Sequence, residues 1–231
     1  SITVSQDIAS PPTLADEQER KKLAKLLSED LAPTTDPTNN ADDQTPQTIT
    51  SSLDEQKRIE GVHKNSPPRR NIEKWRTLII NGDANKAEKE IGDYLFAAPN
   101  DSEVLMLLAA CQKKQNKHRK ALESYKRVSE SGDKKFTGRA YYLAGELSFT
   151  ELNDFQGAVK FFESYLKHTP ANAPNRPEAG LMQAEALIKT GANARAKILL
   201  NQIVADYGRT PIANRARELL KQVSDKATTT Q

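Results

Sequence analysis

The chain has 231 residues with 34 basic and 31 acidic side chains, and its mean hydropathy is −0.72. No run of about twenty apolar residues occurs, which excludes a membrane-spanning helix within this sequence. The net charge of +3 is small, so the composition is far from that of a nucleic-acid-binding protein. The single cysteine, Cys111, can form neither an internal disulfide nor a cysteine-based zinc site.

Residues 1–68 are predicted to be mostly disordered, with one short exception. The stretch "TLADEQERKKLAKLLSED" predicts an amphipathic helix over about 14–31, with Thr13 as a possible N-cap. Its apolar stripe consists of Leu23, Leu26, Leu27 and Leu31. Two interpretations remain open: a marginal helix that frays in solution, or a helix that docks on the folded domain or on a partner.

A polar linker follows this stretch. Residues 33–52 are rich in Thr, Pro, Asn, Asp and Gln, with Ile49 as the one large apolar side chain, so burial cannot offset the entropy of ordering them. Ser52 and Glu55 have the spacing of a capping box, which favours another short helix. The paired prolines of "NSPPRRN" then exclude helix just before the folded part.

From Asn71 onward, every segment has helical periodicity and the interruptions are short. No stretch alternates with period two for long enough to favour a strand, so the fold class is all-α. The pattern predicts helices at about 71–81, 84–97, 102–115, 118–131, 137–151, 155–168, 177–190, 193–207 and 211–224.

The helical part also repeats itself around an alanine. Ala87, Ala121, Ala158 and Ala196 follow one another at spacings of 34, 37 and 38 residues. A large apolar residue comes four positions after each alanine, and another comes seven positions after it. The first set is Ile91, Tyr125, Phe162 and Leu200; the second is Tyr94, Val128, Tyr165 and Ile203.

This arrangement resembles the tetratricopeptide repeat (TPR), a helix pair of about 34 residues, over about residues 71–210. The resemblance implies a right-handed α-solenoid of about four TPR-like helix hairpins and a C-terminal capping helix. A domain at 69–225 is therefore expected, with units at about 69–101, 102–136, 137–175 and 176–210, the capping helix at 211–224, and a disordered tail at 226–231. The structural positions of the repeat are assigned to Trp75, Ala87, Tyr94, Pro99, Ala121, Tyr125, Ala158, Phe162, Tyr165, Pro170 and Ala196.

The repeated alanines are expected at the crossing of each helix pair, because two helices approach closely only where a small side chain faces the partner. The larger residue one turn later should pack into the neighbouring unit. The third unit departs from this pattern. Glu146 stands where Gly or Ala is expected and Gly145 comes one place early, which predicts a longer or shifted turn around "TELND".

No constellation for catalysis, metal or cofactor binding is found. His63, His118 and His168 are far apart in the repeat map and lack ligands at metal-binding spacing, so they are interpreted as surface residues. Cys111 is interpreted as a packing residue on a first helix. Neither a phosphate-binding glycine loop nor a nucleophile elbow is present. The chain is therefore predicted to be no enzyme, to need no cofactor and to bind no nucleic acid.

The charge is unevenly distributed along the chain. Residues 1–59 carry 6 basic and 11 acidic side chains, whereas residues 60–139 carry 17 and 11. A dense cluster of cations lies at Lys113, Lys114, Lys117, Arg119, Lys120, Lys126 and Arg127. It is either a solvated edge of a helical hairpin or a contact for an acidic partner or a membrane surface.

The TPR resemblance implies a concave groove, lined by the first helix of each pair, that binds an extended or helical segment of one or more partner proteins. The groove positions are assigned to Ile72, Arg76, Ile79, Met106, Ala110, Lys113, Leu143, Leu147, Leu181 and Ile188. They lack the Lys–Asn pairing of the TPR domains that hold chaperone tails. A largely apolar groove with Arg76 and Lys113 at one end predicts a hydrophobic or acidic-hydrophobic ligand.

Phrases such as "RAYYLAGELSF" and "FQGAVKFFESYLKHTP" are similar to bacterial envelope TPR proteins, namely the TolA-binding CpoB (YbgF) family and the outer-membrane-assembly lipoprotein BamD. This likeness implies a periplasmic or envelope-associated scaffold for the assembly of an envelope, secretion or pilus-type complex, with membrane tethering upstream of Ser1 as an option. The alternative is a cytoplasmic regulatory TPR adaptor; an enzyme or a nucleic-acid binder ranks below both. The oligomeric state does not follow from the sequence.

Overall fold

The computed structural model describes residues 69–228, with side chains described to residue 224. The predictions for residues 1–68 therefore lie outside the described part. Residues 69–228 contain nine helices and no strand. The helices are α1 (Ile72–Ile80), α2 (Ala84–Ala97), α3 (Ser102–Lys114), α4 (His118–Glu130), α5 (Lys134–Thr150), α6 (Phe155–His168), α7 (Arg176–Lys189), α8 (Asn193–Tyr207) and α9 (Pro211–Thr228).

Two helix ends differ from the sequence prediction by more than one residue. α5 begins at Lys134 rather than near residue 137, because the Asp133 carboxylate accepts a hydrogen bond from the Lys135 amide at 3.0 Å and Phe136 is buried one turn in. Side-chain capping of this kind starts a helix in a segment whose composition resembles a loop. α9 continues to Thr228, past the predicted end at 224 and into the predicted tail at 226–231.

The helices form a continuous stack. Each helix packs on the next one along the chain, and each odd-numbered helix also contacts the next odd-numbered helix. We call α1, α3, α5 and α7 the first helices and α2, α4, α6 and α8 the second helices. Because a hairpin of two helices cannot cover its own apolar side, stacking makes one shared core, which is the architecture of an α-solenoid. α9 packs on α7 and α8 and covers the last hairpin.

The repeated alanines lie in the centre of this core. Ala87, Ala121, Ala158 and Ala196 have no exposed surface. The large residues four positions later, Ile91, Tyr125, Phe162 and Leu200, are fully buried as well. Trp75 is buried in the first hairpin, and its indole Nε1 donates a hydrogen bond to Glu90 Oε2 at 3.2 Å. Pro99 and Pro170 lie exposed just beyond the ends of α2 and α6.

Every hairpin turn contains one residue with positive φ, five positions before its buried alanine. These residues are Gly82, Asn116, Asn153 and Gly191, with φ between 52° and 93°. In three of the turns the next residue donates a backbone hydrogen bond that spans five residues, such as Asp83 N to Leu78 O at 2.8 Å and Ala192 N to Leu187 O at 2.8 Å, whereas in the third turn Asp154 N bonds Ser148 O, six residues back, at 2.8 Å. The five-residue bond is that of the Schellman geometry, which satisfies the last carbonyl groups of a helix and requires a left-handed residue. Glycine and asparagine occupy these positions because they adopt that conformation at the lowest cost.

The turn geometry predicts opposite effects for the same substitution at two glycines. Gly191→Ala forces a Cβ into the left-handed region and should destabilise the domain by about 1 kcal/mol. Gly92→Ala is the matched control, since Gly92 lies exposed within α2 with no atom near its added Cβ, and it should stabilise by about 0.5–1 kcal/mol. Urea denaturation followed by circular dichroism measures both; the same sign for the two variants would contradict the turn assignment.

Candidate functional site

The surface on which successive first helices meet is the candidate site. α1 contacts α3, α3 contacts α5, α5 contacts α7, and α7 contacts the capping helix α9. We call this surface the first-helix face. In a solenoid of helical hairpins, such a continuous surface presents side chains from several repeats to one elongated ligand.

Five of the ten groove positions predicted from the sequence are buried in the core and cannot line an open groove. Those five are Ile79, Met106, Ala110, Leu143 and Leu147. α3 lies between two hairpins and is buried along most of its length, from Val104 to Gln112. Met106 and Ala110 therefore do not reach the surface. The other five, Ile72, Arg76, Lys113, Leu181 and Ile188, are half-buried and reach the surface.

The error at Leu143 and Leu147 comes from the third turn. The connection between α5 and α6 has four residues, 151–154, whereas the other three hairpins have three-residue turns. The extra residue shifts α5 by one position relative to its repeat. Gly145 therefore takes the close-approach position, where an added Cβ would lie 2.8 Å from Phe162 Cε1.

The same shift brings two other side chains to the surface. Tyr142 and Glu146 are half-buried, one position before Leu143 and Leu147 respectively. The sequence contained the signal for this shift, because Gly145 stood one place early and the spacing to the preceding alanine exceeded 34. Moving the predicted groove residues of α5 back by one position, from Leu143 and Leu147 to Tyr142 and Glu146, accounts for the shift.

Ion pairs join successive odd-numbered helices along the first-helix face. Arg76 lies 3.7 Å from Glu103, Lys113 lies 3.5 Å from Glu146, and Arg215 of α9 lies 3.2 Å from Glu185 of α7. Each pair joins two neighbouring odd-numbered helices, and all six side chains keep part of their surface exposed. The sequence pattern predicted a largely apolar groove. The ion pairs show that this prediction was wrong. Exposed pairs of this kind contribute about 0–1 kcal/mol each to stability.

A further set of ion pairs lies at the loop between the first two hairpins. Arg70 pairs with Asp101, at 2.8 Å, and with Glu103. Burial alone would raise the pKa of Asp101, but hydrogen bonds from Arg70, the Val104 amide and the Tyr94 hydroxyl outweigh it and lower that pKa. Asp101 thus stays ionised while it also serves as the N-cap of α3.

Tyr142 is the aromatic contribution to the face. Its ring packs beside Phe162 and Tyr165, with centroid distances of 6.2 and 5.5 Å. Burial, followed by the charges of Glu146 and Glu178, raises the pKa of Tyr142 to about 12. The hydroxyl therefore stays protonated at neutral pH. An amphipathic ring of this kind, with an apolar body and a polar tip, is common where one protein holds another.

The described residues lack a cluster of metal-binding side chains. Within 69–228 there is no group of three or more His, Cys, Asp or Glu residues placed to hold a metal ion. The Cys111 thiol is buried and donates a hydrogen bond to the Ala84 carbonyl at 3.0 Å, and burial raises its pKa to about 11. His118 lies 3.8 Å from Glu151, and His168 bonds the Ser164 carbonyl at the end of α6; His63 lies outside the described residues.

None of the nine helices has the length and apolar character needed to cross a bilayer.

Comparison with known proteins identifies the repeat. The family model of the tetratricopeptide repeat matches residues 103–131 and 178–210, which correspond to the α3–α4 and α7–α8 hairpins. Among solved structures, the crystal structure of MamA is similar, with 17% sequence identity and a TM-score of 0.50 over 70% of this chain and 98% of the MamA chain. No curated protein matches the sequence.

These similarities show TPR-like repeats and an α-solenoid fold. Proteins built from such repeats are typically non-catalytic scaffolds for interactions between proteins. The narrower likeness to the CpoB and BamD families stays a hypothesis, and so do the contacts assigned to the five groove positions that reach the surface.

The register of α5 predicts a second pair of contrasting glycine substitutions. Gly145→Ala should destabilise by roughly 1–3 kcal/mol, because the fully buried Phe162 ring has no room to move away from the new methyl group. Gly180→Ala is the control on α7, where the nearest atom, Ile203 Cδ1, lies 3.5 Å away and the gain in helix propensity of about 0.5–1 kcal/mol should prevail. Unfolding free energies from urea titration test this, and equal stability of the two variants would disprove the shifted register.

Proposed function

We propose that this protein is a non-catalytic scaffold that binds a segment of a partner protein along the first-helix face. The observation that carries the proposal is the series of part-exposed ion pairs and half-buried apolar side chains that runs from α1 to α9 on one surface. TPR-like repeats elsewhere are used in this way, which supports the proposal by analogy of fold.

The chemistry of the face defines the partner. Its cations already face carboxylates, so a partner gains little from charge alone unless it replaces one member of a pair. Between the ion pairs lie the half-buried Tyr142, Leu181 and Ile188. An extended or helical segment with alternating apolar and charged side chains matches this order. A purely apolar segment would take these ion pairs out of water without offering them a hydrogen bond in return.

The cellular setting is a further part of the proposal. The sequence similarity to envelope TPR proteins supports a periplasmic or envelope-associated role in the assembly of an envelope, secretion or pilus-type complex. The alternative is a cytoplasmic adaptor that uses the same face. The two differ in the identity of the partner and not in the mode of binding.

Site-specific photo-crosslinking in the host organism tests the proposal. A benzophenone amino acid replaces Tyr142 on the first-helix face, and in a matched variant it replaces Phe96, an aromatic residue that is 93% exposed on α2. We expect covalent capture of one defined partner segment from position 142 and little capture from position 96, with the crosslinked peptides identified by mass spectrometry.

The captured partner also decides the setting. An envelope protein supports the first alternative, and a cytoplasmic protein supports the adaptor. Capture from position 96 in place of position 142, or capture of unrelated peptides from both positions, would overturn the assignment of the first-helix face.

A further inference from the structure

The charge of the chain is divided between two parts. Residues 26–56 contain seven acidic side chains and no basic one. Residues 69–224 contain 26 basic and 18 acidic side chains. A strongly acidic stretch is thus joined covalently to a basic folded domain.

The basic excess of the domain is concentrated where the first two hairpins turn. Gln115, in the α3–α4 turn, donates a hydrogen bond to the Ala84 carbonyl at 3.3 Å, and Lys117 contacts Glu88 at 2.5 Å, so this turn lies against the start of α2. We call the exposed cations within three residues of these contacts along the chain the basic turn surface. It consists of Lys86, Lys89, Lys114, Arg119 and Lys120, all of which are exposed.

The carboxylates at this surface do not neutralise it. Glu88 is held by Lys117 and by the Gln115 and Gln112 amides, and these hydrogen bonds lower its pKa against the effect of burial, which alone would raise it. Within residues 83–89 and 113–123 there are seven basic and three acidic side chains. The five cations of the basic turn surface form no ion pair within 4 Å with another described residue.

We propose that residues 26–56 dock in cis on the basic turn surface and are held there by charge. This proposal does not depend on the first-helix face as a partner site. The seven acidic side chains of the segment are Glu29, Asp30, Asp36, Asp42, Asp43, Asp54 and Glu55. Few apolar side chains accompany them between residues 33 and 52, so opposite charge, rather than burial of apolar surface, supplies the attraction.

The chain can reach this surface. Arg69 follows Asp43 by 26 positions, and a chain of that length can span at most about 90 Å. Arg70 is fixed to Asp101 at one end of the first hairpin, and the nine residues of α1 cover about 13 Å to its turn. A tether of this length gives an effective concentration in the range of about 1 mM, so even a weak interaction is populated.

Docking at this surface has a consequence for binding. Lys114 is the neighbour of Lys113, whose side chain lies on the first-helix face. A docked acidic segment therefore lies at the edge of that face and should repel an acidic ligand that approaches Lys113. Since exposed charges are screened over about 8 Å at physiological ionic strength, the docking should be released by salt.

Paramagnetic relaxation enhancement in the full chain tests the proposal. Asn40→Cys carries a nitroxide label, and the native Cys111 does not compete for it because its thiol is buried with a pKa raised to about 11. We expect the amide signals of residues 114–120 to lose at least about half of their height at about 20 mM salt and to regain it at about 500 mM salt. Signals around residue 167, on α6, should change little.

Two charge-neutralised variants identify the surface. Lys114→Gln, Arg119→Gln and Lys120→Gln together should abolish the broadening. The matched control neutralises three cations on the second helices, Lys160→Gln, Lys167→Gln and Lys197→Gln, and should leave it unchanged. Five of the six positions are exposed and Lys197 is half-buried, and circular dichroism verifies that both variants fold. Absence of broadening in the native chain, or equal loss of broadening in both variants, would overturn the proposal.

Discussion

The close crossing of two helices at a side chain no larger than a methyl group is the constraint on which this structure depends. In each of the four hairpins a fully buried alanine lies in the first turn of the second helix, where we expect this crossing. In the third hairpin a glycine on the facing helix is needed too, because no Cβ fits between Gly145 and Phe162. Phe162, one turn after Ala158, thus packs on α5 of its own hairpin, and the stacking of successive hairpins makes one shared core.

The sequence predicted the fold well because its signals are local and repeated. In each repeat the turn residue, the alanine and the apolar residue four positions later lie within ten positions of one another. The helices were therefore placed within one residue at most ends. The start of α5 was missed because Asp133 and Phe136 act through a single cap and a single buried ring, which composition does not reveal.

The candidate face was only half predictable, for two physical reasons. One inserted turn residue moved α5 by one position, and the ion pair between Lys113 and Glu146 joins residues 33 positions apart, whose contact depends on how hairpins stack.

The first-helix face combines stability with accessibility. Its ion pairs tie each first helix to the next, yet their side chains remain partly exposed to solvent and to ligands. A partner that exchanges one member of a pair would bind at small net cost, which favours reversible association over permanent assembly.

The chain has a second charged surface at its first two hairpin turns, and the acidic stretch that precedes the domain complements it. The proposed partner binding by the repeats and the proposed docking of the preceding segment involve different surfaces of the chain.

The free energy of unfolding of one alanine variant tests the central constraint most directly. Ala158→Leu places a large side chain at the crossing of α5 and α6 and should cost roughly 1–3 kcal/mol. Ala205→Leu, at an exposed position of α8, controls for the change in residue type and should alter stability by less than about 0.5 kcal/mol. If the two variants unfold at the same urea concentration as the native chain, small side chains do not govern the crossing of these helices and the account is wrong.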